Sequence, residues 1–198
     1  NPGLIYVSVS GYGQQGPYAE RAGTDTVVQS FSGMMTLNRD ANGRPARVGF
    51  LVVDTLTGLY AFEAISTALY ARLAGGTGRT LDVSLMQSSA AFLGLKLIEA
   101  ALEGDQPLAL NVPAGVYRTR DGWITVTLSK ETHFASLCRT IGRLDWLEDP
   151  RLRSFEQRAR HAAELVEGVG AVFATQDTAH WLARIAQEGG LANPVNTP

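Results

Sequence analysis

From Leu4 to Ser10 apolar positions alternate with small or polar ones, and the β-branched content predicts a strand buried on one side or both. Gly11-Tyr12-Gly13-Gln14-Gln15-Gly16-Pro17 follows, a composition that sets a loop at the strand's carboxyl end. Ligands of open α/β sheets bind at such ends. Thr24 or Asp25 is a candidate cap for a helix running to about Met35. Asn38 to Pro45 is a polar turn, and Arg47 to Val53 a second apolar stretch. Asp54 then precedes a long helix, Thr55 to Ala74, in which Leu56, Leu59, Tyr60, Ile65, Leu69 and Leu73 recur at helical spacing. Gly75-Gly76 stops it. Thr80 to Leu85 is a short strand, and Met86 to Leu102 another largely apolar helix.

The pattern changes after Glu103. Glu103 to Pro113 is the best linker candidate. Beyond it, Gly115 to Thr119 and Trp123 to Ser129 flank Arg120-Asp121-Gly122. An Asp-Gly turn between apolar runs signals a hairpin. Three helical patterns follow, at about 130–141, 154–174 and 177–188, and no repeat or low-complexity tract interrupts them. The fold class expected is α/β: the end of an α/β domain, a linker, and a small α+β domain.

The chain's 198 residues are 45% hydrophobic and 18% charged, enough apolar material for a core and too little charge for a disordered chain. The net charge of −2 and the lack of a basic stripe argue against nucleic acid as a partner. They leave phosphate-bearing small molecules open, because a few local donors suffice to hold a phosphate. No apolar run reaches ~18–20 residues free of charge, so no membrane span is expected. A single cysteine, Cys138, excludes an intrachain disulfide and points to a reducing, cytoplasmic compartment. The first residues form neither an initiator start nor a signal peptide but read as a turn entering a strand, as expected of a central fragment.

Candidate chemistry is sparse. His133, His161 and His180 lie far apart on expected helices, without metal-ligand spacing, so no metal site is expected. Cys138 sits among Ala135, Leu137 and Ile141, the setting of an inert packing thiol. Gly11 to Gly16 fits G-x-G-x-x-G, but Pro17 and a polar stretch follow instead of a helix, so the dinucleotide fingerprint fails its context. Asp54 stands out. Locally it reads as an N-cap satisfying free helix N–H groups. Held between two apolar segments it is also expected to be partly enclosed, where a carboxylate can attack a thioester carbonyl and helix N–H groups can stabilise the charge that develops.

Several segments, in order, resemble the family III CoA-transferases, which include formyl-CoA and carnitine CoA-transferases and the α-methylacyl-CoA racemases. They are Asn1-Pro2 through Ser8-Val9-Ser10-Gly11-Tyr12-Gly13-Gln14-Gln15-Gly16-Pro17; Arg21-Ala22-Gly23-Thr24-Asp25 with Val28-Gln29-Ser30-Phe31-Ser32-Gly33; Arg47-Val48-Gly49 leading to Asp54-Thr55-Leu56-Thr57-Gly58-Leu59-Tyr60; Gly78-Arg79-Thr80-Leu81-Asp82-Val83-Ser84-Leu85; Thr119-Arg120-Asp121-Gly122; Leu137-Cys138; and Asn193-Pro194-Val195-Asn196-Thr197. The resemblance implies a Rossmann-like large domain containing residues 1–104, a linker at 105–114, a small domain at 115–190, and a return toward the large domain from 191 to 198. It implies an interlocked homodimer. Coenzyme A and its acyl thioesters would be substrates, with no tightly bound cofactor. Asp54 would be the nucleophile, passing through aspartyl anhydride and thioester intermediates. Tyr12 matches a position that contacts coenzyme A, and Ser10 and Gly11 line the same loop.

The departures from the family pattern are specific. Racemase members carry a histidine in the Gly-x-Asp segment, where this chain has Thr24, and lose an acid/base partner without it. Formyl-CoA transferase has a glycine-rich covering loop that finds no counterpart between Leu110 and Thr119. Arg79 stands where glutamine is common, and Gln87 where aspartate is common. Three readings stay open: CoA-transferase, acyl-CoA racemase or epimerase, and a non-catalytic CoA-binding paralogue.

Overall fold

The computed structural model describes residues 1–40, 42–104, 109 and 111–197. It is mixed α/β and divides into two compact units, Asn1–Asp105 and Gln106–Pro198. Most of the expected linker's core, Asp105 to Leu108 and Leu110, lies outside the described residues.

The first unit is built on two parallel strands, β1 (Ile5–Ser10) and β2 (Arg79–Ser84), paired in register from Ile5 opposite Arg79 to Ser10 opposite Ser84. Parallel strands need a long crossover. Here it contains α1 (Asp25–Phe31), α2 (Met34–Leu37) and α3 (Val52–Leu73). The single helix expected to reach Met35 breaks at Gly33, whose φ of +84° is left-handed and favours glycine. The apolar stretch before Asp54 is not a strand: its last two residues, Val52 and Val53, are the first turn of α3.

After β2 the chain enters α4 (Leu85–Phe92) through a reciprocal cap. The Ser84 hydroxyl accepts from the Gln87 N–H, and the Gln87 side-chain oxygen accepts from the Ser84 N–H, each at 3.1 Å. Gln87 thus closes the cap. The expected helix to Leu102 is bent by 62° between α4 and α5 (Gly94–Glu103). No single helix among the described residues is long and apolar enough to cross a membrane. Among the described residues the buried apolar cluster of this unit is small: Val28, Met34, Val53 and Leu93.

The second unit has an antiparallel sheet in the order β3 (Gly115–Arg118), β4 (Trp123–Thr127), β5 (Leu191–Pro194). Arg118 pairs with Trp123 across the expected Asp-Gly turn. Leu191 to Pro194, at the start of the segment expected to return toward the large domain, pair with Thr127 to Ile124 as the third strand of this sheet. Around it lie α6 (Glu131–Ile141), α7 (Asp145–Glu148), a 3-10 turn (Pro150–Leu152), α8 (Phe155–Ala159), α9 (Ala162–Phe173) and α10 (Thr178–Gln187).

The helix expected over 154–174 is two helices, because its two halves are anchored differently. Arg158, almost wholly buried, donates to the Leu152 carbonyl at 2.8 Å and to Glu131 at 2.6 Å, and its guanidinium lies against the Phe134 and Phe155 rings. The following helix instead turns Leu165, Val169 and Phe173 into the core with Ile124, Leu128, Leu137 and Trp181. Cys138 is in that core, and burial pushes its thiol up to about 12, which leaves it neutral and unreactive.

Candidate active site

Backbone sterics and a few hydrogen bonds shape the loop after β1. Gly11 and Gly23 cross so closely that a Cβ on either would lie 2.9 Å from the other's Cα, so both positions need glycine. The Ser10 hydroxyl accepts from the Gly13 N–H at 3.0 Å, Asp82 Oδ2 accepts from the Gln14 N–H at 2.8 Å, and the Gly11 carbonyl accepts from the Met86 N–H at 3.0 Å. The loop is therefore tied both to β2 and to the helix that follows it.

Asp54 is the third residue of α3 and faces the start of this loop. It lines an open cleft of about 390 Å³ together with Ser10, Gly11, Gly23, Thr57 and Gly58. Its side chain is exposed, not partly enclosed as the apolar flanks suggested. The Thr57 hydroxyl donates to the Val53 carbonyl at 2.8 Å, so its hydrogen is committed to the helix. Gly58 stands one turn beyond Asp54, where i and i+4 share a face. A Cβ there would meet nothing within 4 Å. A glycine inside a helix costs ~1 kcal/mol relative to alanine, and no close packing accounts for it here. What it leaves is free space beside the carboxylate.

Asp54 is not the cap of its own helix. That role belongs to Asp25, which sequence reasoning named only as a candidate cap for α1. Asp25 Oδ2 accepts from the Val53 N–H at 2.8 Å and the Asp54 N–H at 3.2 Å, while Oδ1 accepts from Gln29 at 2.6 Å. An anion at a helix N-terminus is favoured by the orphan N–H groups and the helix dipole. Two of the N–H groups expected to steady charge near Asp54 are consequently already taken. The available signal was a glutamine four residues after Asp25, at the spacing that lets side chains on a helix meet. Thr24 precedes α1 without a side-chain cap and is exposed.

Tyr12 does not line the Asp54 cleft. Its ring packs with Tyr18 and Phe31 at centroid distances of 5.8 and 5.4 Å. The Arg21 guanidinium lies 5.5, 5.8 and 5.0 Å from the Tyr12, Tyr18 and Phe31 rings, a cation–π cluster whose members are too far apart in sequence to form a motif. The Tyr12 hydroxyl is enclosed and has no protein partner among the described residues. A larger, mainly apolar hollow of about 440 Å³ lies further along α3, beside Tyr60, Glu63, Arg79, Leu81 and Gln87. Size alone would favour it, but it contains neither Asp54 nor the glycine loop. Among the described residues no group of three or more His, Cys, Asp or Glu side chains converges as a metal site. His180 is exposed with its ring edge-on to Trp181, and His133 Nδ1 lies 3.2 Å from the Ser129 N–H.

A mixed α/β unit that sets an exposed carboxylate opposite a glycine loop defines a fold and a site that can be compared with known proteins. The chain belongs to CoA-transferase family III, which it matches over residues 1–198. It is 32% identical over 202 residues to an acyl-CoA transferase of Fusarium pseudograminearum, covering 99% of this chain and 44% of that protein. It is also 32% identical over 205 residues to succinyl-CoA:glutarate CoA-transferase of Mus musculus, covering 99% and 46%. The crystal structure of Rv3272 from Mycobacterium tuberculosis superposes with a TM-score of 0.86 at 28% identity, covering 100% of this chain and 55% of that one. The chain thus spans about half the length of the relatives it matches.

Proposed function

We propose that this chain carries the nucleophile of a CoA-transferase that moves coenzyme A from an acyl-CoA donor to a carboxylic acid. The observation that carries the reading is the exposed Asp54 carboxylate, facing Ser10 and Gly11 across an open cleft. Asp54 attacks the donor thioester carbonyl, the C–S bond breaks, and a mixed anhydride forms with release of CoA thiolate. The thiolate attacks the aspartyl carbonyl, expelling the donor carboxylate and leaving an aspartyl-CoA thioester. The acceptor carboxylate attacks that thioester to give a second anhydride and free the thiolate again. Attack of the thiolate on the acceptor's carbonyl then yields the new acyl-CoA and regenerates Asp54. No net proton is consumed, so the cycle needs no general acid.

Oxyanion stabilisation falls to the glycine loop. Within it the Gly13 and Gln14 N–H groups serve Ser10 and Asp82, so the donors are assigned to its remaining N–H groups. Coenzyme A contacts are assigned to Ser10 and Gly11, which line the Asp54 cleft, and to Tyr12 of the same loop. Residues 1–104 are assigned to a Rossmann-like large domain, supported by the parallel β1–β2 pair and its helical crossover, and 115–190 to a small domain. A homodimer of interlocked subunits in the cytoplasm completes the reading, supported by family membership and by the apolar side chains the first unit exposes, Tyr6, Phe62, Tyr70 and Leu95 among them.

A dicarboxylic acid is the first acceptor class to test, because the mouse relative is named for succinyl-CoA and glutarate. The intact protein is to be mixed with succinyl-CoA and a panel of free acids, and new acyl-CoA species measured by mass. Transfer that disappears in Asp54→Asn supports the reading. Exchange of the α-proton in heavy water without transfer favours the racemase alternative, against which Thr24 stands. Coenzyme A binding with neither reaction favours a non-catalytic paralogue.

A further inference from the structure

The carboxylate of Asp25 is 3% exposed, belongs to a different helix from Asp54, and still binds Asp54's own backbone. It accepts from the Val53 and Asp54 N–H groups through one oxygen and from the Gln29 amide through the other. Gln29, wholly buried, accepts in turn from the Val48 N–H at 2.9 Å. A fixed polarity therefore runs through the set. The Val48 N–H donates to Gln29 Oε1, Gln29 Nε2 donates to Asp25 Oδ1, and the start of α3 donates to Asp25 Oδ2. We infer that Asp25 is the positioning residue for Asp54, and that Gln29 fixes the side-chain polarity that requires a carboxylate at position 25. The inference rests on the reading of Asp54 as nucleophile.

The chemistry of the donors shows why. An asparagine side chain at position 25 supplies a single acceptor. If that oxygen faces α3, its amide nitrogen meets the Gln29 nitrogen, donor against donor. Rotating the Gln29 amide relieves that clash only by setting its nitrogen against the Val48 N–H. Either way one buried hydrogen bond is lost and a donor is left unmatched. The first turn of α3 then loses its anchor, and Asp54 with it. Misplacement of a reacting group by ~1 Å can lower a rate ~100-fold. Moving the carboxylate to position 29 restores every pairing. The amide at position 25 then faces α3 with its oxygen and donates through its nitrogen to the carboxylate at position 29, which also accepts from the Val48 N–H.

The test compares Asp25→Asn, Gln29→Glu and the double variant in the intact protein. Transfer is measured per folded molecule, and amide hydrogen exchange at Val53 and Asp54 is followed alongside. Each single variant is expected to lower kcat by ~10–100-fold with KM for acyl-CoA held within ~3-fold, and to speed exchange at both amides. The double variant is expected to recover amide protection and most of kcat together. A purely packing role would reduce the folded fraction and leave kcat per folded molecule within about twofold, which would overturn the inference. So would a double variant that regains protection without kcat, or one that fails to fold although every pairing is restored. Full transfer by Asp54→Asn would instead sink the nucleophile reading, while amide exchange would still report whether Asp25 anchors α3.

Discussion

The two units use their apolar residues in opposite ways. In the second, Tyr117, Phe173 and Trp181 stack edge to face at 5.5 and 5.2 Å within a cluster that also takes in Ile124, Leu128, Leu137 and Val169. In the first, the buried cluster among the described residues is Val28, Met34, Val53 and Leu93, while Leu59, Phe62, Tyr70, Leu73, Leu95 and Leu102 are exposed. The unit with the closed core holds inert groups: a neutral buried thiol and a buried arginine held by Glu131 and a carbonyl. The unit with the open faces holds the exposed nucleophile candidate. The start of α3 at Asp54 is therefore held less by a large core than by polar anchoring through Asp25 and Gln29.

Three changes probe that contrast. The largest effect is expected from Phe173→Ala, which empties the centre of the closed core and should cost ~3–5 kcal/mol. Denaturant unfolding would measure it, and a loss below ~1 kcal/mol would mean that this core is not the stabilising element the packing indicates. Next is Gly58→Ala. Replacing a mid-helix glycine that touches nothing should stabilise the protein by ~1 kcal/mol, yet the methyl enters the space beside Asp54. A raised melting temperature with slower transfer, worse for bulkier acyl groups, is the expected pair of results. Unchanged rates across acyl sizes would show that the space is not used.

The smallest effect concerns Asp121 at the hairpin turn. The Thr178 backbone N–H and hydroxyl, and then the Thr119 hydroxyl, hold its carboxyl below the usual carboxylate range. A lowered native pKa contributes stability above the unfolded value of ~4 and loses it as pH falls through the native value. Asp121→Asn should therefore be slightly less stable than wild type at neutral pH, with the gap closing in acid. Melting temperatures recorded from neutral pH down into strong acid would show this, and a constant gap would assign the effect to packing.

Local chemistry made much of this readable beforehand. The alternation in β1, the long period of α3 and the Asp-Gly turn between β3 and β4 are signals carried within a few residues, and each element formed. Asp54 stood out because a carboxylate between two apolar runs is uncommon. The breaks were harder to see. The break between α8 and α9 comes from tertiary anchoring that periodicity does not encode, and the 62° bend before Gly94 interrupts an apolar run that reads as continuous. β5 is not legible because Leu-Ala-Asn-Pro carries no strand pattern of its own and takes its structure from β4. The capping role of Asp25 is hard to read because the helix N–H groups it binds are 28 and 29 positions away, and only its pairing with Gln29 leaves a local signal.

The central claim is that Asp54 becomes acylated. Intact-mass analysis of the full protein after incubation with acyl-CoA donors, with hydroxylamine added to trap the activated carbonyl, tests it directly. The account predicts a hydroxamate that maps to Asp54 and is lost in Asp54→Asn. Transfer that proceeds with no adduct at Asp54, or with a hydroxamate at another carboxylate, would contradict it.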